Sequence, residues 1–178
     1  MDSDTVTGET RRLAAGLAAQ REAAASEVVP DLASRRTDLA RLKAAIRAHR
    51  NDFVAVARED FGRRPAEDTL ILDIGPVVQG INHMHRHLGA WMRPERVPVP
   101  HTLWPGRAHI HRQPLGVVGI MAPWNYPFGL SLLPVATALA AGNRAMLKRS
   151  ELAPASSRLL ADLLADTFEA TQVAVVEG

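Results

Sequence analysis

Residues 117–121, Val-Val-Gly-Ile-Met, form an unbroken apolar run between Gly116 and the Ala122-Pro123 pair. A run this short, with no polar alternation, suits a strand covered on both faces, as in a parallel sheet packed between helices. The pattern downstream keeps that logic. Residues 128–141 read as an apolar helix containing Pro134, 143–148 as a second strand, 154–168 as an amphipathic helix and 173–176 as a third strand. Strand, helix, strand, helix, strand with right-handed crossovers is half of a doubly wound parallel sheet, an architecture that binds nucleotides.

Upstream the period is helical. Residues 6–29 alternate alanine, leucine and charged residues up to Pro30, and residues 33–61 form a second helix. Leu32, Leu39, Leu42, Ile46, Phe53 and Ala57 give that helix an apolar stripe, and Gly62 is placed as its stop. After Arg63-Arg64-Pro65, residues 67–91 read as a third helix, with Leu70, Ile74, Val77, Val78, Ile81, Met84 and Leu88 on the buried side. Pro94, Pro98, Pro100 and Pro105 leave room only for short edge strands, at 96–99 and 107–112. The expected class is α/β: a helical part over 1–93, arm strands over about 94–112, and a partial Rossmann-like βαβαβ unit over 115–178.

At 178 residues the chain is sized for one domain or a piece of one. Its 21 basic and 19 acidic residues nearly cancel and no basic tail or stripe stands out, so nucleic acid is not indicated. No stretch of about 18 apolar residues exists and the start lacks a signal-peptide pattern, which makes a cytoplasmic protein without membrane insertion the expectation. Cysteine is absent, and with it disulfides, thiolate metal sites and thiol nucleophiles. Lysine occurs only at Lys43 and Lys148, against an arginine bias that runs through the whole chain.

In an open parallel sheet, ligands sit beyond the carboxyl ends of the strands. The first strand ends in Ala122-Pro123-Trp124-Asn125-Tyr126-Pro127-Phe128 and the second in Lys148-Arg149-Ser150-Glu151, so two polar clusters share one rim. Asn125, held between prolines, is a rigidly placed amide donor of the kind a developing oxyanion needs; losing such a donor costs on the order of 3 kcal/mol of barrier. Lys148 with Glu151 three residues later can grip a ribose, the ammonium donating and the carboxylate accepting.

Taken singly, these features have plainer readings. Asn125 alone is a turn asparagine, Lys148 with Glu151 an ordinary solvated pair, and Trp124, Met121 and Phe128 are core residues in part. Together, Pro114-Leu115-Gly116-Val117-Val118-Gly119, Pro123-Trp124-Asn125-Tyr126-Pro127, Ala138-Leu139-Ala140-Ala141-Gly142-Asn143 and Lys148-Arg149-Ser150-Glu151 occur in one order at one spacing. That set resembles the aldehyde dehydrogenase superfamily, from about Arg35 to Gly178. Tyr126 and Phe128 are similar to the class 3 branch that includes bacterial coniferyl aldehyde dehydrogenases.

The resemblance implies oxidation of an aldehyde, aromatic such as coniferyl aldehyde or long-chain, to a carboxylic acid. The route would be a cysteine thiohemiacetal, hydride transfer to NAD(P)+ and thioester hydrolysis. It assigns oxyanion stabilisation to Asn125 and the adenosine ribose to Lys148 and Glu151. Met121, Ala122, Pro123 and Trp124 would line the cofactor channel, and Ser150 would support the turn. The family's general-base glutamate, nucleophilic cysteine and catalytic domain would all lie beyond Gly178, so a truncated chain, inactive alone, is the expectation. The alternatives are a non-catalytic module that binds nucleotide or pairs with a full-length relative, and a decayed fragment. Arg149 stands where many members have proline; it could favour the 2′-phosphate of NADP, which Glu151 would oppose, and NAD and NADP both remain open. The strands near Arg96 and Arg107 resemble the family's subunit-pairing arm, which implies a homo-oligomer for a complete protein.

His83 and His87 share a helical face, and His109 and His111 a strand face, but neither group contains a carboxylate or lies near the rim. No metal site is assigned. The arginines of residues 35–64 are interrupted by Asp38, Asp52, Glu59 and Asp60, as on a solvated face rather than a membrane or nucleic-acid surface.

Overall fold

The structure, a computed structural model, describes residues 3–176; the first two and last two residues of the expected 1–178 unit lie outside the described residues. Helix α1 (Ser3–Ser26) is followed by α2 (Leu32–Ala48), α3 (Arg50–Phe61) and α4 (Gly75–Trp91). Strands β1 (Glu95–Val97) and β2 (Ala108–Ile110) pair antiparallel as a small arm, with a 3-10 turn at His101–Leu103 between them. Then come β3 (Val117–Met121), α5 (Gly129–Ala140), β4 (Arg144–Lys148), α6 (Pro154–Thr167) and β5 (Val173–Val176).

The three parallel strands run in the order β3-β4-β5, as the alternating pattern predicts. Side chains alternate between the faces. Ile120, Ala145, Leu147 and Val173 join the main core with Leu132, Val135 and Leu139 of α5 and Leu160, Leu163 and Leu164 of α6. Met146 points the other way, its methyl 3.6 Å from where a side chain on Gly16 of α1 would begin. Helix α1 thus covers the second face at β4. On β3, Gly119 and Met121 of that face are exposed, so the strand expected to be covered on both faces is covered on one, and its apolar run ends at an open rim. Helix α1 is fixed there by the fully buried Gln20, whose amide donates to the carbonyls of Ala145 and Ala170 at 3.0 and 3.1 Å.

Helices α2, α3 and α4 extend this core through Leu39, Leu42, Ile46, Phe53, Ala57, Val77, Ile81 and Leu88. Phe53 and Phe128, both without exposed surface, meet with ring centroids 4.7 Å apart at 60°, an arrangement that favours edge-to-face attraction.

The expected helix over 33–61 is two helices. His49, at φ −90° and ψ 19°, ends α2 and starts α3, while the apolar stripe continues through the break. The expected helix over 67–91 begins as a π-helical turn, Asp68–Ile74, which buries Thr69, Asp73 and Ile74 before α4 takes over at Gly75-Pro76. That wider turn brings Asp73 and Ile74, adjacent in sequence, both into the interior.

Two motif positions of no evident chemistry hold the strands. Gly142 sits at φ +81°, and a Cβ there would stand 2.6 Å from the guanidinium carbon of Arg35. Arg35 is buried, donating to the carbonyls of Pro30 and Ala140 at 2.8 and 3.2 Å. Asn143 accepts from the amides of Leu115 and Gly116 at 2.6 and 3.0 Å, tying the entrance of β3 to that of β4.

Candidate active-site rim

Strands β3 and β4 end side by side. Met121 is paired with Lys148, and the Ala122 amide continues the ladder onto the Lys148 carbonyl at 3.0 Å. The two polar clusters read from sequence therefore leave the sheet at one place.

From β4, the Lys148 ammonium lies 3.0 Å from the Glu151 carboxylate, both side chains reaching solvent. Glu151 is held below the usual glutamate range, first by its own backbone amide and then by Lys148, and is a carboxylate at neutral pH. The ammonium has further donors and the carboxylate further lone pairs, so the pair presents one group of each kind to a polyol. Ser150 faces its own turn: its hydroxyl accepts from the Leu152 amide at 3.2 Å, and its carbonyl accepts from the Ser157 hydroxyl at 2.8 Å. Arg149 donates to the Ser157 carbonyl of α6 at 2.8 Å.

From β3, Met121 is 85% exposed, Trp124 is 50% exposed, and Pro123 and Asn125 are also exposed, while Ala122 is half-buried. Met121 is apolar surface laid open beside Lys148, Trp124 is exposed further along the loop, and Phe128 is core. Asn125 stands on the loop whose middle is held from α3's side: its carbonyl accepts from Arg64 at 3.1 Å, and Trp124 lies 6.5 Å, centroid to centroid, from Phe61. Met121 and Ala122 are thus brought to Lys148, while Asn125 belongs to a separate part of the rim.

Beneath that loop, Arg64 lies over the rings of Phe61 and Tyr126, at 5.2 and 5.3 Å, and pairs with Asp73 at 3.4 Å. Asp73 has no exposed surface, and its other oxygen accepts from the Gly129 amide at the start of α5. Burial pushes its carboxyl up to about 6, against the opposing effects of the Gly129 amide and Arg64. In the sequence Arg64 stands only as part of the Arg63-Arg64-Pro65 helix break, and Asp73 carries no motif. The available signal was position: Asp73 falls three residues after Leu70 and four before Val77, on the stripe that Ile74, Ile81 and Leu88 keep apolar.

Among the described residues no group of three potential ligands could hold a metal ion, and no helix is long and apolar enough to cross a membrane.

The model of the aldehyde dehydrogenase family matches residues 7–178. The chain belongs to the aldehyde dehydrogenase family. A probable coniferyl aldehyde dehydrogenase from Pseudomonas aeruginosa is 42% identical over 170 residues, covering 96% of this chain and 36% of that protein. A coniferyl aldehyde dehydrogenase from a Pseudomonas species is 41% identical over 149 residues, covering 83% of this chain and 30% of that protein. Among solved structures, substrate-bound AldH of Staphylococcus aureus superposes with a TM-score of 0.89 at 30% identity, over 93% of this chain and 36% of that one. An aldehyde dehydrogenase from Bacillus cereus, solved as its NAD+ complex, gives 0.81 at 25% identity over 96% of this chain and 34% of that one. This aldehyde dehydrogenase chain spans about a third of the length of the relatives it matches.

Proposed function

We propose that this chain carries the cofactor rim and the oxyanion amide of an NAD(P)-dependent aldehyde dehydrogenase acting on aromatic aldehydes such as coniferyl aldehyde. The observation that carries the reading is the Lys148–Glu151 pair at 3.0 Å, set at the registered end of β4 against the exposed Met121 of β3. The relatives' names support the substrate class. Soluble, cytoplasmic placement and pairing of subunits through the β1–β2 arm belong to the same reading.

The donor set fits a dinucleotide. Lys148 would donate to a ribose hydroxyl and Glu151 accept from one, and Met121, Ala122, Pro123 and Trp124 would line the cofactor's path. Bound there, a nicotinamide cofactor supplies the electron-pair acceptor for aldehyde oxidation. Asn125 would offer its amide N–H toward the oxygen that gains charge, from a loop whose backbone is tied at the Asn125 carbonyl by Arg64. The rim favours NAD+ over NADP+: Glu151 is ionised, and the nearby Arg149 is turned to the Ser157 carbonyl. These 178 residues contain no cysteine, so the thiol step is not theirs to perform.

The test is titration of the purified chain with NAD+, followed by tryptophan fluorescence, in wild type, Lys148→Met and Trp124→Phe. Saturable quenching that Lys148→Met weakens and Trp124→Phe removes is expected. A flat titration in the wild type overturns the cofactor rim, and turnover of coniferyl aldehyde by this cysteine-free chain overturns the division of labour.

A further inference from the structure

Arg64 and Asp73 form a charged pair 3.4 Å apart inside the protein, with side chains 11% and 0% exposed. Replacing such a pair by aliphatic residues of similar volume is often neutral or stabilising, so fold stability alone gives little reason for it. Its geometry gives a better one. Loop 122–128 leaves β3 at Met121 and enters α5 at Gly129, and the pair holds it at two points. Arg64 donates to the Asn125 carbonyl at 3.1 Å in the middle of the loop. Asp73 accepts from the Gly129 amide at its exit.

Both ties are sterically built. A Cβ at Gly129 would stand 2.8 Å from the Asp73 carboxylate, so only glycine allows that approach. The Arg64 guanidinium lies against Phe61 and Tyr126, the latter inside the loop itself. Its planar fork therefore serves two acceptors while packed on rings, which a lysine could not match. Asp73 reaches this place only because the π-helical turn Asp68–Ile74 carries it inward, and such turns occur frequently at functional sites.

We propose that Arg64 and Asp73 are positioning residues for Asn125: they fix the loop so that the Asn125 amide points to where the reacting oxygen stands. The role rests on the oxyanion function proposed above. Neither residue touches substrate; both act through the backbone of the loop.

The experiment uses the whole chain labelled with 15N-asparagine, whose four asparagines are Asn51, Asn82, Asn125 and Asn143. Arg64→Met combined with Asp73→Leu removes both charges without leaving either one buried alone. The expected result is displacement or broadening of the Asn125 backbone and side-chain signals, with the other three unchanged. Quenching of Trp124 by NAD+ should also weaken, roughly tenfold in Kd. Asp73→Leu should be partly rescued by Asp73→Asn, which keeps an acceptor for Gly129. An Asn125 signal at its wild-type position in the double variant overturns the proposal, as does displacement of all four signals together, which would make the pair a support of the fold. The asparagine spectrum is read without cofactor, so a wild-type chain that ignores NAD+ would sink the cofactor reading and leave this one standing or falling separately.

Discussion

The two carboxylate oxygens of Asp60 accept from the backbone amides of Ala155 and Ser156, at 2.9 and 2.8 Å, across 95 and 96 residues of chain. Ala153, at the N-cap position of α6, has no side chain able to do this, and Asp60 at the end of α3 does it instead. One side chain thereby satisfies two unpaired amides and places negative charge at a helix N-terminus. Asp60→Ala should lower stability by about 1–2 kcal/mol, the usual cost of a lost cap, with Asp60→Asn between. Urea unfolding midpoints at neutral pH check it; an unchanged midpoint in Asp60→Ala would mean that water serves the two amides equally well.

Gly142→Ala should cost more than a cap. The site has φ +81°, which alone costs an L-residue about 1–2 kcal/mol. The new methyl would also stand 2.6 Å from the guanidinium of Arg35. That guanidinium cannot swing aside without giving up its bonds to the carbonyls of Pro30 and Ala140. The α5–β4 turn and the start of α2 should loosen together, visible as faster amide exchange at both. Exchange confined to the turn would show that Arg35 yields freely.

These long-range ties explain what the sequence could and could not tell. The strands at Val117–Met121 and Val173–Val176, the start of α6 at Pro154 and the rim clusters follow from local apolar runs and breakers, and the structure has them where that pattern puts them. The break at His49 left no mark, because Leu42, Ile46 and Phe53 stay in phase across it. The arm strands Glu95–Val97 and Ala108–Ile110 are shorter than the expected 96–99 and 107–112, since proline-rich segments carry no clear end signals. Asp60, Arg64, Asp73 and Asn143 all act on backbone groups remote in sequence, and no periodicity reports a partner 27 to 96 residues away.

Asp73 should make stability depend on mildly acidic pH. Its folded-state carboxyl is raised to about 6, above an unfolded value near 4, so between the two the native chain holds more proton than the unfolded one. Stability then falls as pH rises through that window, by at most about 1.4 kcal/mol per pH unit from this group. The contribution is present below about pH 4, is lost by about pH 7, and is absent from Asp73→Asn. The stability of the wild type relative to Asp73→Asn should therefore shrink from pH 4.5 to 7 and level off above it. A difference that does not change with pH would show that Asp73 titrates like an exposed carboxylate.

Glu151 should govern the choice between the two nicotinamide cofactors. A 2′-phosphate adds about 1.5 to 2 negative charges close to the ribose hydroxyl that the carboxylate would otherwise accept from. Glu151 is ionised at neutral pH, and Arg149, the one nearby cation besides Lys148 on this turn, is held by the Ser157 carbonyl. Glu151→Gln removes the repulsion and keeps an amide oxygen as acceptor. Affinity for NADP+ should rise relative to NAD+, by roughly three- to tenfold in the ratio of the two Kd values at low salt. The wild-type gap should narrow as salt is added, because the Glu151 side chain is largely exposed and its field is screened. An unchanged ratio would place the ribose away from Glu151, and with it would fall the grip assigned to Lys148.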